Sequence, residues 1–332
     1  MNKGYEYDRN LRYEHMRFIL STYCLLFSLC SYSGFAQHIL FYNVENLFDT
    51  LHDRGKNDLD FTPEGAYSYG SSTYFLKIRQ TARAIRSAIN ATGQTIDILA
   101  IAEVENRTAL LDLAKHKAIR QMGAWQVVHY DSPDYRGIDC AALINLSTTR
   151  LIQAEPISYS SAHFKSRDAL LLKTRSVNEG DSINATSVIV HLPSKRGGAL
   201  ESAPLRELAL IRIIKELDKD TAHNQLIFGD FNAAAKADFF KTQVEKGWKT
   251  PYFFRPKNID GTYKFQGRWQ QIDLALYRSK KTYSGKIIAP SLLLETDTKW
   301  GGYKPKRAFL GQFYTYGYSD HLPVYIFHVN DS

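Results

Sequence analysis

The sequence predicts an α/β fold in four layers, an α/β/β/α sandwich of two packed mixed sheets with helices on the outer faces. Three observations predict it: a strand–helix–strand pattern ending at Val104, a second copy of that pattern between Ser187 and Asp230, and further short apolar strands that have no helices of their own. The 332 residues are 44% hydrophobic and 13% aromatic, without repeats or low-complexity runs, which excludes disordered, fibrous and solenoid classes and supplies one large core.

Taken in order, the first element is a leader. Met16-Arg17 precedes the apolar run FILSTYCLLFSLC (Phe18 to Cys30) and the small-residue stretch ending at Ala36, the arrangement of a secretory signal peptide over residues 1–36, with Met16 as a second candidate start. The apolar run falls short of the ~20 residues that span a bilayer. Export to the periplasm or the medium is therefore the expectation, with residues 37–332 as a single domain. Cys24 and Cys30 leave with the leader, so Cys140 alone remains and no internal disulfide can form.

HILFYNV (His38 to Val44) reads as a buried strand that runs into Asn43, Glu45 and Asn46. Phe75, Ile78, Ala82, Ile85 and Ile89 recur at alternating steps of three and four, which predicts an amphipathic helix with Lys77, Arg79, Arg83 and Arg86 on its polar side. IDILAIAEV (Ile96 to Val104) is an apolar strand that abruptly acquires Glu103. Trp125 to His129, Cys140 to Ile144 and Ala169 to Lys173 add short strands. Ser187 to Leu192, a helix over Leu205 to Leu217 and Gln225 to Asp230 repeat the opening pattern, and Gln271 to Tyr277 with Leu322 to Val329 should complete the second sheet. The segments Tyr252 to Gln270 and Thr296 to Tyr318 lack periodicity and read as loops beside a site.

Polar residues recur where apolar strands end: Asn43, Glu103, His191, Asp230 with Asn232, and Asp273, while Asp320 and His321 stand just before the last strand. One such residue is ordinarily a cap or a salt-bridge partner; a whole set on one group of strands marks a shared site. Carboxylate and amide oxygens are hard ligands suited to Mg²⁺, Mn²⁺ or Ca²⁺, whereas zinc asks for clustered His or Cys.

YNVEN (Tyr42 to Asn46), AEVEN (Ala102 to Asn106), HLPS (His191 to Ser194), GDFN (Gly229 to Asn232), QIDLAL (Gln271 to Leu276) and YSDH (Tyr318 to His321) resemble, in order, the motifs of the endonuclease/exonuclease/phosphatase superfamily. That superfamily includes pancreatic-type deoxyribonuclease, apurinic endonucleases, inositol polyphosphate 5-phosphatases and bacterial sphingomyelinases on a four-layer sandwich. The longer forms FYNVENLFD (Phe41 to Asp49) and HLPSKRGG (His191 to Gly198) are most similar to exported bacterial members.

The resemblance implies that Glu103 is the principal metal ligand, with Asn43 and Glu45 adjoining it and Asp273 and Asp320 as further carboxylates around metal and His321. It implies that Asp230 and Asn232 orient or deprotonate the attacking water, and that a carboxylate-paired His321 binds a phosphoryl oxygen or transfers a proton. His191 is similar to a second, proton-donating histidine, with Asp139 of RGID (Arg136 to Asp139) as its partner. Arg167 of SRDALLLK (Ser166 to Lys173) is placed to meet phosphate, or is simply an exposed loop arginine.

The implied activity is divalent-metal-dependent hydrolysis of phosphate esters, Mg²⁺ being the first choice of metal. A net charge of +8 favours a polyanionic substrate, so an endonuclease-like nuclease leads. A phosphatase or phospholipid phosphodiesterase is the alternative, because Trp269, Trp300, Tyr303 and Tyr314 suit base stacking and a membrane surface equally. A non-catalytic binding module is a third class, opposed by the intact set Glu103, Asp230, Asn232, Asp273 and His321. The partners implied are a phosphate-ester substrate, nucleic acid included, and no other protein; a monomer is expected.

Overall fold

The computed structural model describes residues 37–329 apart from 162–163, 178–183, 196–197 and 221. The expected leader and residues 196–197 of the HLPSKRGG motif lie outside the described residues. Among the described residues no helix is long and apolar enough to cross a membrane.

Strand β1 (Ile39–Leu47) leads into helix α1 (Ser71–Thr92), and the chain returns as β2 (Ile98–Val104) parallel to β1. The short helices α2 (Arg107–Lys115) and α3 (Lys117–Arg120) precede β3 (Trp125–His129) and β4 (Asp139–Asn145), which pair antiparallel. A second sheet begins with β5 (Thr149–Ile157), β6 (Ala169–Ser176) and β7 (Asn184–His191). Helix α4 (Ala199–Leu217) then carries the chain to β8 (Gln225–Asp230), parallel to β7. Helix α5 (Asp238–Glu245), β9 (Tyr252–Phe254), β10 (Asp273–Arg278), β11 (Thr282–Ile287) and β12 (Val324–Val329) complete the frame.

The seven-stranded sheet has the order β3-β4-β2-β1-β12-β11-β9 and the five-stranded sheet β10-β8-β7-β6-β5. The two pack face to face in the expected sandwich, their apolar inner faces forming one core in which Phe41 of β1 meets Phe228 of β8 edge-on at 6.4 Å between ring centroids.

One strand lies elsewhere than expected. β12 belongs to the first sheet, antiparallel to β1, and not to the second. The turn before it explains why: Ser319 Oγ donates to the backbone oxygen of Asn43 at 2.6 Å, which pins the start of the last strand to β1. In α1 the apolar stripe is buried as read at Ile78, Ala82, Ile85 and Ile89, but Phe75 is exposed and Tyr74 takes its place. Lys77, expected on the polar side, is fully buried. The loop regions carry three small two-stranded hairpins beside the main sheets.

Candidate active site

Three neighbouring strands of the second sheet bring three polar residues to one level. Asp230 at the end of β8 is in register with His191 on the parallel β7 and with Asp273 on the antiparallel β10. Two carboxylates directly opposite each other repel, so the pairing costs stability and calls for a compensating cation. The backbone around Asp230 is special as well: Gly229 adopts φ +141°, and a Cβ there would stand 2.0 Å from Val190 O. The glycine of GDFN is what lets β8 lie this close to β7.

The first sheet contributes the facing residues through two irregularities. The β1–β2 register shifts between Asn43 and Leu47, and the β2–β4 register shifts between Ala102 and Val104. Glu45 (φ 52°), Asn46 (φ 58°), Glu103 (φ 66°) and, across the seam, Asn232 (φ 48°) all occupy the left-handed region, which non-glycine residues enter at a cost. The bulge turns Glu103 toward the second sheet. Asn43 Nδ2 bridges Glu103 Oε1 and Asp230 Oδ2, each at 3.3 Å, and Asn46 N holds Glu103 Oε2 at 3.0 Å.

His321 enters from the turn before β12 and is paired with Asp273, whose oxygens lie 2.9 and 3.1 Å from Nδ1. Burial opposes a charged imidazole, but Asp273, Asp230 and Asp320 together hold its pKa well above the ordinary histidine value. Its other nitrogen, Nε2, lies 3.8 Å from Asp230 Oδ2. His191 is the opposite case: burial and the nearby cations Arg167, Arg136 and His321 push its pKa well down, so the ring is neutral. Its Nε2 stands 3.5 Å from Asp230 and 3.7 Å from Glu103, and its buried Nδ1 has no hydrogen-bond partner among the described residues. Burial raises Asp230, and Asp273 and Glu103 add to the rise. Burial also pushes Glu103 upward, but Arg136, His321, Arg167 and the Asn43 amide outweigh it and leave its carboxyl below the usual range.

Several residues stand apart from their expected places. Asp139 does not partner His191; it accepts from Ser132 and lies 3.2 Å from His129 Nε2. Arg167 does not face a phosphate position: it is buried, donating to the backbone oxygens of His191 (2.9 Å) and Leu192 (3.3 Å) and to Asp134 (3.1 Å), so it shapes the end of β7. Glu45 is committed to Arg307 (2.9 Å) and the amides of Ala308 (2.6 Å) and Phe309 (3.4 Å), a clamp on the loop before His321. Asp320 also meets Arg307, at 3.3 Å. Asn232 donates from its backbone to Asp230 Oδ1 (2.7 Å) and from its side chain to Leu192 O (3.0 Å).

Sequence reasoning missed Lys77, Arg136, Arg307, Ser319 and Tyr263. Lys77 Nζ donates to Val44 O (2.6 Å) and Tyr318 O (3.0 Å), stapling the irregular end of β1 to the turn that carries His321. Tyr263 packs its ring on His321 with 5.2 Å between centroids.

These groups line a pocket of about 400 Å³ that holds Glu103, His191, Asp230, Asn232, Asp320 and His321, with Arg136 and Lys195 at its walls. The donor set suits a divalent cation: buried Asp230 and Asp273 bring carboxylate oxygens within 4.8 Å of each other beside His321, and the Asn43 amide holds the half-buried Glu103 against Asp230, so hard oxygen donors and negative charge are gathered at one place. Glu103, with Asn43 holding one of its oxygens, would hold such an ion beside Asp230. The ion would supply charge neutralisation for a phosphoryl group.

A sequence model of the endonuclease/exonuclease/phosphatase family matches residues 38–330. No curated protein matches the sequence. Among solved structures, an endonuclease/exonuclease/phosphatase family protein from Bacteroides thetaiotaomicron is similar at TM-score 0.58 and 14% identity, over 91% of this chain and 100% of that one. A mannosyl-6-phosphatase from Bacteroides thetaiotaomicron is similar at TM-score 0.57 and 14% identity, over 89% and 100%. The beta toxin of Staphylococcus aureus, solved with bound magnesium ions, is similar at TM-score 0.56 and 12% identity, over 88% and 99%. At these identities the likeness is one of fold.

Proposed function

The chain belongs to the endonuclease/exonuclease/phosphatase family and is, as its members are, a divalent-metal-dependent hydrolase of phosphate esters; from that premise we propose that it is an exported nuclease-like phosphodiesterase. The observation that carries the substrate reading is the continuity of the pocket with basic and aromatic surface on both sides. Through Lys195 and Gln270 it joins a depression of about 910 Å³ that holds Lys236, Tyr252, Arg255 and Trp269. Through Tyr263, Phe265 and Asp320 it joins another that holds Lys299 and Trp300. A strand of nucleic acid presents phosphates and stackable bases at regular spacing, and such a track meets both needs.

Within the pocket, His321, held cationic by Asp273, would bind a non-bridging phosphoryl oxygen. Asp230, with its Oδ2 3.5 Å from His191 Nε2 and its Oδ1 held by the backbone N–H of Asn232 at 2.7 Å, would take a proton from attacking water. The neutral His191 beside it would orient that water or relay its proton. No covalent enzyme intermediate is needed.

The lipid alternative has one observation in its favour. Leu310 (64% exposed) and Phe313 (78% exposed) stand out from a hairpin in the loop that carries Arg307, as a membrane-touching tip would. Purified protein spanning residues 37–332 should be assayed with Mg²⁺ against plasmid DNA, RNA, inositol phosphates, mannose 6-phosphate and sphingomyelin vesicles. Cleavage of DNA or RNA that weakens steeply with salt supports the proposal; turnover confined to monoesters or vesicles overturns it. Export is tested by N-terminal sequencing of protein from the producing cell: a start near Gln37 supports it, and intact chain in the cytoplasm refutes it.

A further inference from the structure

A second set of carboxylates converges where the segment after β1 meets the end of β2. Oxygens of Asp53, Asp58 and Glu105 all lie within 4.8 Å of one another. Asp49 is tied to the same group by Asn106, whose Nδ2 donates to Asp49 Oδ2 at 2.9 Å and to Glu105 Oε2 at 3.2 Å. None of the four lines the catalytic pocket.

Asp58 is 1% exposed and Glu105 3%. Burial, with Asp49, Asp53 and Asp58 adding to it, pushes the Glu105 carboxyl up to about 9, so it keeps its proton unless a cation among these groups relieves the crowding. Asp58 is answered locally, by His52 at one oxygen and by the Asp53 N–H at the other (2.8 Å), but Lys56 spends its Nζ on the backbone oxygens of Ser132 (2.6 Å) and Asp134 (2.9 Å) and no cation is left for Glu105 among the described residues. The telling atom is Glu105 Oε1. Its sister Oε2 accepts from Asp49 N at 2.6 Å and from Asn106, whereas Oε1 is buried with no hydrogen-bond partner among the described residues. A buried carboxylate oxygen left open beside two more carboxylates is a ligand atom awaiting a cation.

We propose that Asp49, Asp53, Asp58 and Glu105 form a second divalent-cation site, of calcium type and separate from the catalytic metal. Every donor is an oxygen, which excludes the softer metals. Ca²⁺ takes carboxylates with flexible geometry at ~2.3–2.6 Å, so ligands on its opposite sides stand about 4.6–5.2 Å apart, and the oxygens of Asp53, Asp58 and Glu105, within 4.8 Å of one another, suit that span. Mg²⁺ prefers to keep several waters and is poorly served by several carboxylates from an irregular loop. The bound ion would fasten residues 49–58 to the start of α2. From there Phe48 stacks on Phe61 at 4.0 Å and Phe61 meets Phe309 edge-on at 5.7 Å, so the ion would brace the loop that clamps Glu45.

The test is calorimetric titration with Ca²⁺ in saturating Mg²⁺, together with thermal melts with and without Ca²⁺. The wild type should bind one Ca²⁺ that Mg²⁺ does not displace and should melt higher with it. Asp53→Asn, an exposed position that should fold normally, and Glu105→Gln should each weaken Ca²⁺ by at least about tenfold and lose the increment in melting temperature. Asp53→Asn should keep its Mg²⁺-dependent turnover, and Glu103→Gln should keep its Ca²⁺ binding. No Ca²⁺ uptake by the wild type in Mg²⁺, unchanged affinity in Asp53→Asn, or Ca²⁺ binding that vanishes in Glu103→Gln instead would each overturn the proposal.

Discussion

Replacing Asp273 by Asn changes the charge on His321 while leaving the side-chain volume almost untouched. In the wild type the carboxylate lies 2.9 Å from the imidazole Nδ1, and both groups are buried. At that distance and an effective dielectric of about 20, Coulomb attraction is roughly 5–6 kcal/mol before desolvation is set against it. Breaking a buried pair ordinarily costs about 3–5 kcal/mol. Here the Asn amide can still hydrogen-bond and His321 can release its proton, so a loss of about 1–3 kcal/mol in stability is expected. Turnover at neutral pH should fall by a factor on the order of 10²–10⁴, the range for a lost electrostatic or acid–base contribution. The direction in pH follows from the raised pKa of His321. Catalysis that needs the imidazolium is present below that pKa and is lost as pH rises through it. Without Asp273 the loss begins at lower pH, so the deficit should be smaller in acid than in alkali. The same group contributes stability that is full below its unfolded value of about 6.5 and disappears as pH rises through its folded value. The assay is a pH–rate profile on a generic phosphodiester in saturating Mg²⁺, paired with melts at each pH. A wild-type-to-variant rate ratio that does not change with pH would refute the reasoning.

Asn232→Ala should lower turnover on the same substrate by about 10²–10⁴-fold at a stability cost of only about 1–2 kcal/mol, since alanine must take the left-handed backbone at φ 48° and Leu192 O loses its donor; a stability loss with normal turnover would make it a structural residue. His321→Ala should behave differently, losing both, because it leaves Asp273 buried without its partner. A chelator should abolish activity and Mg²⁺ or Mn²⁺ restore it, with chelator-resistant turnover as the adverse result. Lys77→Met keeps the volume but leaves Val44 O and Tyr318 O unanswered, at about 1–3 kcal/mol for each group; a melt unchanged from wild type would show that the staple carries no stability. Cys140, buried and with its thiol pushed far up by that burial, should resist thiol reagents in the folded protein and react only after denaturation.

The parts of this fold that were legible in the sequence are those whose pattern is dictated by burial on both faces. ILFYNV, ILAIAEV and QLIFGD are continuous apolar runs because helices cover one face and the opposite sheet the other. β5 was not legible: Arg150, Gln153 and Glu155 are exposed on an edge strand that also holds Pro156, which is how an edge avoids unwanted pairing and also how it hides from an apolar-run reading. The strand-end polar residues announced the site, and Asn43, Glu103, His191, Asp230, Asn232, Asp273 and His321 do come together. Partnerships were harder to read than membership. Whether Asp139 or Asp273 faces a given histidine depends on register across strands far apart in the chain, and Lys77 looked like any solvent-facing lysine because the carbonyls that receive it, on β1 and in the turn before β12, lie 33 and 241 residues away.

The pocket is divided between the two sheets: Asn43, Glu103 and the turn carrying His321 come with one, while His191, Asp230 and Asp273 come with the other. Neither half is a site alone. Catalysis is thus a gauge of how the sheets are docked, and a sensitive one, since a slip of an ångström along their seam separates the reacting groups without unpairing a single strand. A substitution that loosens the contact between Phe41 and Phe228, remote from any reacting atom, should silence the enzyme while its circular dichroism still reports intact strands and helices. Heat should do the same, so that inactivation precedes melting, and the interval between the two measures how far this seam yields before the layers themselves come apart.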